Sequence, residues 1–441
     1  MGKNMRKSTK VISFIRAYLS ILGLTACSGT PAPFKVQNSV TVQTSQATAL
    51  AEKNTLMVWH QWTTDDTNAR AFKKVVTDYQ ALHPDIEIQF DVAETEAYKT
   101  KVKTAACVNE LPDVFFYWGG GAISPFVDAG AIMPLDSYLD DVYRANIICG
   151  TLDNFIFYGK TYGLTTSQWV GALYCNKEMF DLYNVKIPVT FDDLLTAIEV
   201  FNTNNIIPVS VGGKDGWPAM FFQNIMAVRT AGAAQCNQML SGASSFNSPE
   251  MVKSAQYVLD LVEAGAFGSS VLAHTYDEAR ISFEAGKNPM LYTGDWIVSE
   301  IQDPSSKLKD KVVAVNFPGI NDGQDNSQIL GGAIDGFCVS NNAKDKDLAV
   351  EFIKYITQNM SEQCFAEGGQ PTRKFDMSKY TVDPLAQQIT DYAAKSTGSV
   401  LAWDTFLSGQ AAETHKRLCQ RLFAGEITAE TFALEMAKLQ K

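Results

Sequence analysis

Short apolar runs alternate with amphipathic stretches over the first part of this chain. They follow in the order strand, helix, strand, helix, strand, at residues 55–59, 68–83, 86–90, 97–107 and 113–117. Pro84 ends the first helical stretch because proline cannot continue a helix. This alternation predicts an α/β fold with a parallel sheet and right-handed crossovers. Since ligands of such sheets bind at the carboxyl ends of strands, we expect the loops after His60 and Tyr117 to contribute to a site.

A second α/β region follows residue 164. Thr190 and Asp193 have the spacing of a capping box, and Ser248 followed by Pro249 is typical of a helix start. The predicted elements are a strand over 207–211 and helices over 191–202, 249–264, 344–358, 410–423 and 428–439. With 441 residues, the chain is long enough for two such domains.

The amino terminus has the pattern of a bacterial lipoprotein signal. A basic region at 3–10 precedes a short apolar region at 11–24, and small residues then lead to Cys27. The alternative is a membrane anchor, but a span needs about 20 apolar residues and Arg16 interrupts a shorter stretch. We therefore expect residues 1–26 to be a signal peptide and Cys27 to carry the lipid. Residues 27–53, rich in Ser, Thr, Gln, Ala and Pro, are expected to form a flexible tether.

Charge and cysteine content limit the partners. The formal net charge is −11, and an acidic surface repels nucleic acid and anionic lipid. Seven cysteines remain after Cys27, without any Cys-x-x-Cys pair, so their pairing stays open.

Motifs for catalysis and cofactors are not found. The four histidines include no His-x-x-x-His pair, and no Gly-x-Ser-x-Gly, phosphate-loop or dinucleotide motif occurs. The glycine run at 119–121 fails the dinucleotide spacing and indicates backbone room near a cleft. Asp65 and Asp66 form a carboxylate pair that could serve a glycoside hydrolase, but two adjacent acids before Asn68 are also typical of a helix start. We expect no catalytic activity, no cofactor and no metal site.

Tryptophans are concentrated in predicted loops and at strand ends. A cleft for a neutral sugar needs flat apolar faces for the C–H surface of the ring and fixed polar groups for its hydroxyls. Trp59, inside an apolar run, is expected to be a core residue. The candidate binding residues are Gln61, Trp62, Asp65, Trp118, Trp169, Trp217, Asp295, Trp296, Asp335, Arg373 and Trp403.

Several short segments, in order and spacing, resemble the type 1 extracellular solute-binding proteins, the family of maltose-binding and raffinose-type sugar-binding lipoproteins. The resemblance covers about residues 56–439. The segments are VWHQW at 58–62, LPDV at 111–114, GAIMPL at 130–135, YGL at 162–164, LYCNK at 173–177, PVTF at 188–191, GDW at 294–296, GGAIDGF at 331–337 and GEIT at 425–428.

This resemblance implies a two-lobe periplasmic-binding-protein-like fold of type II. Each lobe would be a mostly parallel sheet flanked by helices, with a multi-strand hinge and extra C-terminal helices. We place the first lobe at 54–163 and 291–340 and the second at 164–290 and 341–441. The lobes would close around a ligand between them.

The resemblance also implies a function. The protein would capture a carbohydrate, with several tryptophans favouring an oligosaccharide, and deliver it to an ABC importer. Its partners would be two membrane permease subunits with a cytoplasmic ATPase, and it would act as a monomer, anchored outside the cytoplasm through Cys27. Trp62, Trp118, Trp296 and Trp403 match family positions that stack sugar rings, and Arg373 lies in a segment that resembles a loop at the cleft rim.

Other functions and ligands remain open from the sequence. A surface-anchored glycoside hydrolase would use two cleft carboxylates, and a carbohydrate sensor would present its closed form to a receptor. Amino acid, peptide, polyamine and opine ligands share the fold, and a fold does not fix a function.

Overall fold

The computed structural model describes residues 54–320, 323 and 325–440. The expected signal peptide, tether and Cys27 lie outside these residues. None of the described helices combines the length and apolarity that crossing a membrane requires.

The strands are β1 (Asn54–His60), β2 (Ile86–Val92), β3 (Val114–Trp118), β4 (Ile156–Phe157), β5 (Lys160–Thr161), β6 (Leu164–Asn176), β7 (Val209–Ser210), β8 (Met290–Gly294), β9 (Val312–Val315), β10 (Ile329–Val339), β11 (Gln370–Pro371) and β12 (Ser399–Val400). One-turn 3₁₀ helices occur at Gly120–Ala122, Asp136–Tyr138, Asp153–Phe155, Gly213–Asp215, Val271–Ala273, Asp295–Ile297, Met377–Lys379 and Trp403–Thr405.

The α-helices are α1 (Thr67–Leu82), α2 (Thr95–Cys107), α3 (Ser124–Asp128), α4 (Asp141–Ala145), α5 (Lys177–Leu182), α6 (Phe191–Thr203), α7 (Trp217–Leu240), α8 (Pro249–Glu263), α9 (Tyr276–Glu284), α10 (Val298–Ile301), α11 (Lys346–Ala366), α12 (Pro384–Ala394), α13 (Gly409–Phe423) and α14 (Ala429–Ala437).

The sheet joins both halves of the molecule in the order β2-β1-β3-β10-β6-β8-β7. β1 pairs in parallel with β2 and with β3, as the sequence predicts. The centre is antiparallel: β10 pairs with β3 and with β6, and the far end of β6 pairs with β8. The α/β class is confirmed, with a mixed rather than mostly parallel sheet. The long strands β6 and β10 therefore connect the two halves.

The two helix starts that the sequence predicts from capping motifs are confirmed. The Asp193 N–H donates to the Thr190 hydroxyl (3.1 Å) and the Thr190 N–H donates to the Asp193 carboxylate (3.0 Å), which closes the capping box of α6. Ser248 caps α8, whose first residue is Pro249.

The apolar side chains form three clusters. The first contains residues of β1, β3, α1 and α2, the second contains residues of α6, α7, α8, α13 and α14, and a smaller third surrounds β9 and α12. The first two clusters contain opposite ends of β6 and β10: Leu164 and Phe337 belong to the first, and Leu173 and Leu330 belong to the second. We refer to them below as the first and second cores.

Helix α11 packs in the first core, where the Phe352 ring lies 5.1 Å from that of Tyr79. This differs from the predicted boundaries, which placed residues 341–441 in the second lobe. The reason is that β10 ends at Val339 opposite Val114 of β3, so the following helix begins on the first-lobe side. Conversely, β8 and β9 pair with β6 beside the second and third clusters. We propose a revised division that assigns α11 to the first lobe and β8 and β9 to the second.

Candidate functional site

A cavity of about 510 Å³ lies between the first and second cores, within the usual range for sites of small ligands. The first half of the chain contributes the loop after β1, the end of β3 and one face of α2. The second half contributes the starts of α7 and α9, the turn after β8, and residues 402–416. Both predicted strand-end loops therefore reach the cavity.

Five aromatic side chains form a continuous wall on the side of the second core. Trp169 and Phe221 are stacked with their ring centroids 5.0 Å apart and 1° between their planes. Trp296 contacts Trp169 at 5.7 Å and Trp217 at 6.2 Å, and Trp217 contacts Tyr276 at 4.6 Å. All five line the cavity, so we call them the aromatic wall.

The orientation of Trp296 within this wall is fixed by two contacts. Its indole N–H donates to the Tyr276 hydroxyl at 2.7 Å. Its ring lies against the Cα of Gly294, where a Cβ would overlap the ring. The Gly-Asp-Trp motif therefore requires glycine for close approach of an aromatic ring.

The opposite wall is built from Trp62 and Trp118. Trp62 is 7% exposed and packs against Phe72 at 4.8 Å and Phe116 at 4.9 Å. The Trp118 ring has the Lys99 ammonium 4.9 Å from its centroid, a distance that allows cation–π attraction. A planar ligand in the cavity would therefore meet aromatic rings from two sides.

A carboxylate-rich cluster around Arg280 contributes to the lining of the cavity. Arg280 pairs with Glu284 at 2.8 Å, Glu300 at 3.0 Å and Asp277 at 3.6 Å. Burial raises the pKa of Glu300 to about 8 and that of Asp66 to about 6. Asp66 also caps α1, because its carboxylate accepts the Ala69 N–H at 2.8 Å.

Asp335 projects into the cavity from the irregular part of β10. It is 7% exposed, and among the described residues its carboxylate has no hydrogen-bond or ion-pair partner. Burial, with a smaller contribution from the negative charge of Asp66, raises its pKa to about 7. A buried polar group without a partner is costly, so this carboxylate is available to a ligand.

A second group of charged residues in the lining is paired. The Lys416 ammonium lies 3.2 Å from Asp404 and 3.7 Å from Glu413, and Lys99 lies 2.7 Å from Glu96. Burial and the nearby Lys416 charge lower the pKa of Lys99. These side chains can donate or accept hydrogen bonds, and their charges are compensated by their ion-pair partners.

Seven of the eleven predicted site residues line the cavity: Gln61, Trp62, Trp118, Trp169, Trp217, Trp296 and Asp335. The other four, Asp65, Asp295, Arg373 and Trp403, do not line it.

Trp403 is a core residue, whereas Trp59 is half-buried on β1. Trp403 is 0% exposed and stacks on Phe246 at 5.3 Å and on His415 at 5.4 Å. Its neighbours Asp404 and Thr405 line the cavity instead. The expectation that Trp403 stacks on the ligand is therefore not met, because the turn at 403–405 directs this ring into the second core.

The remaining three residues lie behind or beside the cavity. Asp295 is 2% exposed and accepts the Val170 N–H at 3.2 Å, in the strand layer below Trp296. The Arg373 guanidinium donates to the Tyr143 carbonyl at 3.0 Å and lies 4.2 Å from the Tyr143 ring. Asp65 is exposed, and its backbone carbonyl accepts the Nε–H of Arg70.

The sequence analysis missed Phe221, Tyr276, Lys99, Arg280 and Lys416, which all line the cavity. Lys99, Phe221, Arg280 and Lys416 lie on the helices α2, α7, α9 and α13, and Tyr276 is the first residue of α9. The sequence prediction of the site started from tryptophans in predicted loops and therefore did not include residues within helices. The one available signal was the capping box at Thr275 and Glu278, which marks the start of α9 beside the cavity.

Comparison with known proteins gives concordant matches. The family model described as bacterial extracellular solute-binding protein matches residues 64–363. A structure from a study of xylan utilization by the thermophilic bacterium Caldanaerobius polysaccharolyticus is 39% identical, with a TM-score of 0.82, over 87% of this chain and 99% of that chain.

Two further matches have lower identity. The structure of a chitin oligosaccharide binding protein is 26% identical, with a TM-score of 0.78, over 88% of this chain and 98% of that one. The multiple sugar-binding protein of Streptococcus mutans serotype c is 23% identical over 66% of this chain and 69% of its own length.

Proposed function

Because this chain belongs to the family of bacterial extracellular solute-binding proteins, we propose that it captures a carbohydrate outside the cytoplasm and delivers it to an ABC importer. Two permease subunits and their ATPase would be its membrane partners, and we propose that it acts as a monomer without catalysis. Binding between two lobes that then close would convert occupancy of the cavity into a shape that the permease recognises.

The aromatic wall is the observation that carries this proposal. Trp169, Trp217 and Trp296 offer flat apolar surfaces along one side of a cavity that is also lined by hydrogen-bonding side chains. A neutral sugar has this division of surfaces, with C–H groups on its ring faces and hydroxyls at its edges. We propose Gln61, Trp62, Trp118, Trp169, Trp217, Trp296 and Asp335 as ligand contacts, together with Tyr276, Arg280 and Lys99.

The charges of the cavity argue against an anionic ligand. Seven carboxylate and four basic side chains line it, so an anion would meet an excess of negative charge. These residues are Asp66, Glu94, Asp277, Glu300, Asp335, Asp404 and Glu413, and Lys99, Lys103, Arg280 and Lys416. The structural relative from xylan utilization makes xylo-oligosaccharides the first ligands to test, and the chitin oligosaccharide binding protein suggests chito-oligosaccharides as the second.

We expect a saturable change in intrinsic tryptophan fluorescence when the purified protein is titrated with a xylo-oligosaccharide, because its tryptophans surround the cavity. Phosphosugars, peptides and polyamines serve as controls. Recovery of the intact sugar by chromatography after prolonged incubation supports capture without chemistry. Release of shorter products would instead identify a glycoside hydrolase, and no response to any sugar would contradict the carbohydrate assignment.

We also propose that Cys27 anchors the protein to the membrane. The acyl chains attached to one cysteine would supply two hydrophobic anchors, which suffices for stable attachment. Cys27→Ser is expected to move the protein from the membrane fraction to the medium or periplasm and to abolish incorporation of labelled palmitate. Cys107→Ser, at an exposed cysteine of α2, is the matched control and should leave both unchanged. Equal labelling of the two variants would contradict the anchor.

A further inference from the structure

A second cavity, of about 260 Å³, adjoins the first and has about half its volume of about 510 Å³. Gly121 and Thr405 line both cavities. We call the second one the outer cavity. It is lined by Gly120, Gly121, Ser124, Asp153, Asn154, Ile156, Phe157, Thr405, Phe406 and Ser408.

A contact between two backbone segments separates the cavities. Gly120 and Gly121 lie against the carbonyl groups of Thr405 and Leu407, where a Cβ on either glycine would overlap backbone atoms. The glycine segment adjoins the first core and the 403–408 segment adjoins the second. The partition is therefore a contact between the two lobes, and it loosens when they move apart.

The outer cavity has an exposed aromatic face. Phe406 is 42% exposed, whereas its neighbours Thr405 and Leu407 are 4% and 8% exposed. Phe157 lies half-buried on the other side of the cavity, beside Ile156, which is 43% exposed. An exposed phenyl ring within an otherwise buried segment offers the kind of surface on which a sugar ring stacks.

Polar groups surround this face. Ser408 is the N-cap residue of α13, yet its hydroxyl makes no capping hydrogen bond, although a serine at that position usually does. Asp153, Asn154 and Ser124 add a carboxylate, an amide and a hydroxyl. The outer cavity thus repeats the chemistry of the main cavity, with aromatic surface flanked by hydrogen-bonding side chains.

We propose that the outer cavity is a further carbohydrate subsite, which holds the terminal ring of an oligosaccharide too long for the main cavity. The inference rests on the proposed function. A long ligand would cross between the cavities at Gly121 and Thr405, the residues common to both, and would hold the backbone contact there apart while it is bound. A short ligand would fill the main cavity alone and leave the outer cavity empty.

The test compares xylo-oligosaccharides from disaccharide to hexasaccharide by titration calorimetry. Phe406→Ala is expected to weaken binding of the longest ligands by about threefold to tenfold, the loss of one aromatic contact, and to leave the disaccharide unaffected. Phe90→Ala is the matched control, because Phe90 is 39% exposed on β2 and lines neither cavity.

The results separate the two proposals. A loss that appears only above a certain ligand length, and only in Phe406→Ala, supports the subsite. An equal loss at every length, no loss at any length, or the same loss in Phe90→Ala would overturn it while leaving carbohydrate capture intact. Failure of the unsubstituted protein to bind any oligosaccharide would remove the proposed function, and the subsite with it.

Discussion

Trp296→Ala is expected to weaken oligosaccharide binding by about 30- to 900-fold, equivalent to about 2–4 kcal/mol, the usual cost of removing a tryptophan anchor from the centre of an interface. Trp296 contacts Trp169 and Trp217 and therefore occupies the middle of the aromatic wall. Its removal would leave a gap in the surface on which the ligand stacks. It would also remove one of the two hydrogen bonds that the Tyr276 hydroxyl accepts, leaving the one from Thr293. Titration calorimetry against the best xylo-oligosaccharide measures the change.

Substitutions of two other tryptophans serve as controls for this result. Trp59→Ala is the matched control, because Trp59 is half-buried on β1 and does not line the cavity; it should bind normally. Trp403→Ala should lower the free energy of unfolding by about 3–5 kcal/mol, as for other buried aromatic residues, because its ring is 0% exposed. Equal affinities of Trp296→Ala and Trp59→Ala would exclude the aromatic wall as the binding surface.

The family that was predicted from the order and spacing of short sequence segments is confirmed, and so is the α/β fold. The strands and helices of residues 55–117 could be predicted from their alternating pattern alone, because each has a clear apolar period and a capping or helix-breaking residue. Helix α7 lacked such a signal: it is buried on nearly all sides between Pro218 and Thr230, so its apolar residues show no helical period. Sequence reasoning placed Trp217 in a turn, whereas it is the first residue of this helix.

Lobe membership could not be predicted from the order of elements along the chain. Whether the chain returns to the first lobe after β10 depends on which strand lies beside the end of β10. The structure places Val339 opposite Val114, and α11 therefore packs against α1. This pairing joins residues more than 200 positions apart in the chain, beyond the reach of any local pattern.

Some features of the candidate site could likewise be predicted from local sequence, whereas others depend on residues that are distant in the chain. Tryptophans in predicted loops and at predicted strand ends were a useful signal, and five of the seven tryptophans line the cavity. Which tryptophans face the cavity was not predictable, because Trp403 is buried by Phe246 and His415, residues of separate elements. Asp295 and Trp296 are adjacent, yet only Trp296 lines the cavity, since the turn after β8 directs the two side chains in different directions.

Asp335→Asn is expected to weaken binding by about tenfold to 150-fold at about pH 8, the range for loss of a hydrogen bond to a charged group. Asp335 is 7% exposed and lines the cavity without a partner among the described residues. Sugar hydroxyls that donate to its ionised carboxylate would replace the water lost on burial. An amide keeps the shape of the side chain but accepts hydrogen bonds more weakly.

The pH dependence of binding tests the same group. Burial raises the pKa of Asp335 to about 7 in the unliganded protein, and hydroxyl donors that bind the ionised form must lower this pKa in the complex. Affinity is therefore greatest above about pH 7 and decreases as the pH falls through that value, because the carboxyl must lose its proton before the ligand binds. The decrease approaches tenfold per pH unit for a single proton.

Asp66 and Glu300 also line the cavity and titrate in this window, since burial raises their pKa values to about 6 and about 8. Asp66→Asn and Glu300→Gln separate these groups from Asp335, because each removes one titrating carboxyl, and asparagine preserves the N-cap of α1. Calorimetric titrations between about pH 5.5 and pH 8.5 should show the decrease in the unsubstituted protein, in Asp66→Asn and in Glu300→Gln, but not in Asp335→Asn. A decrease that persists in Asp335→Asn, or affinity that rises as the pH falls, would mean that the carboxylate of Asp335 does not accept hydrogen bonds from the ligand.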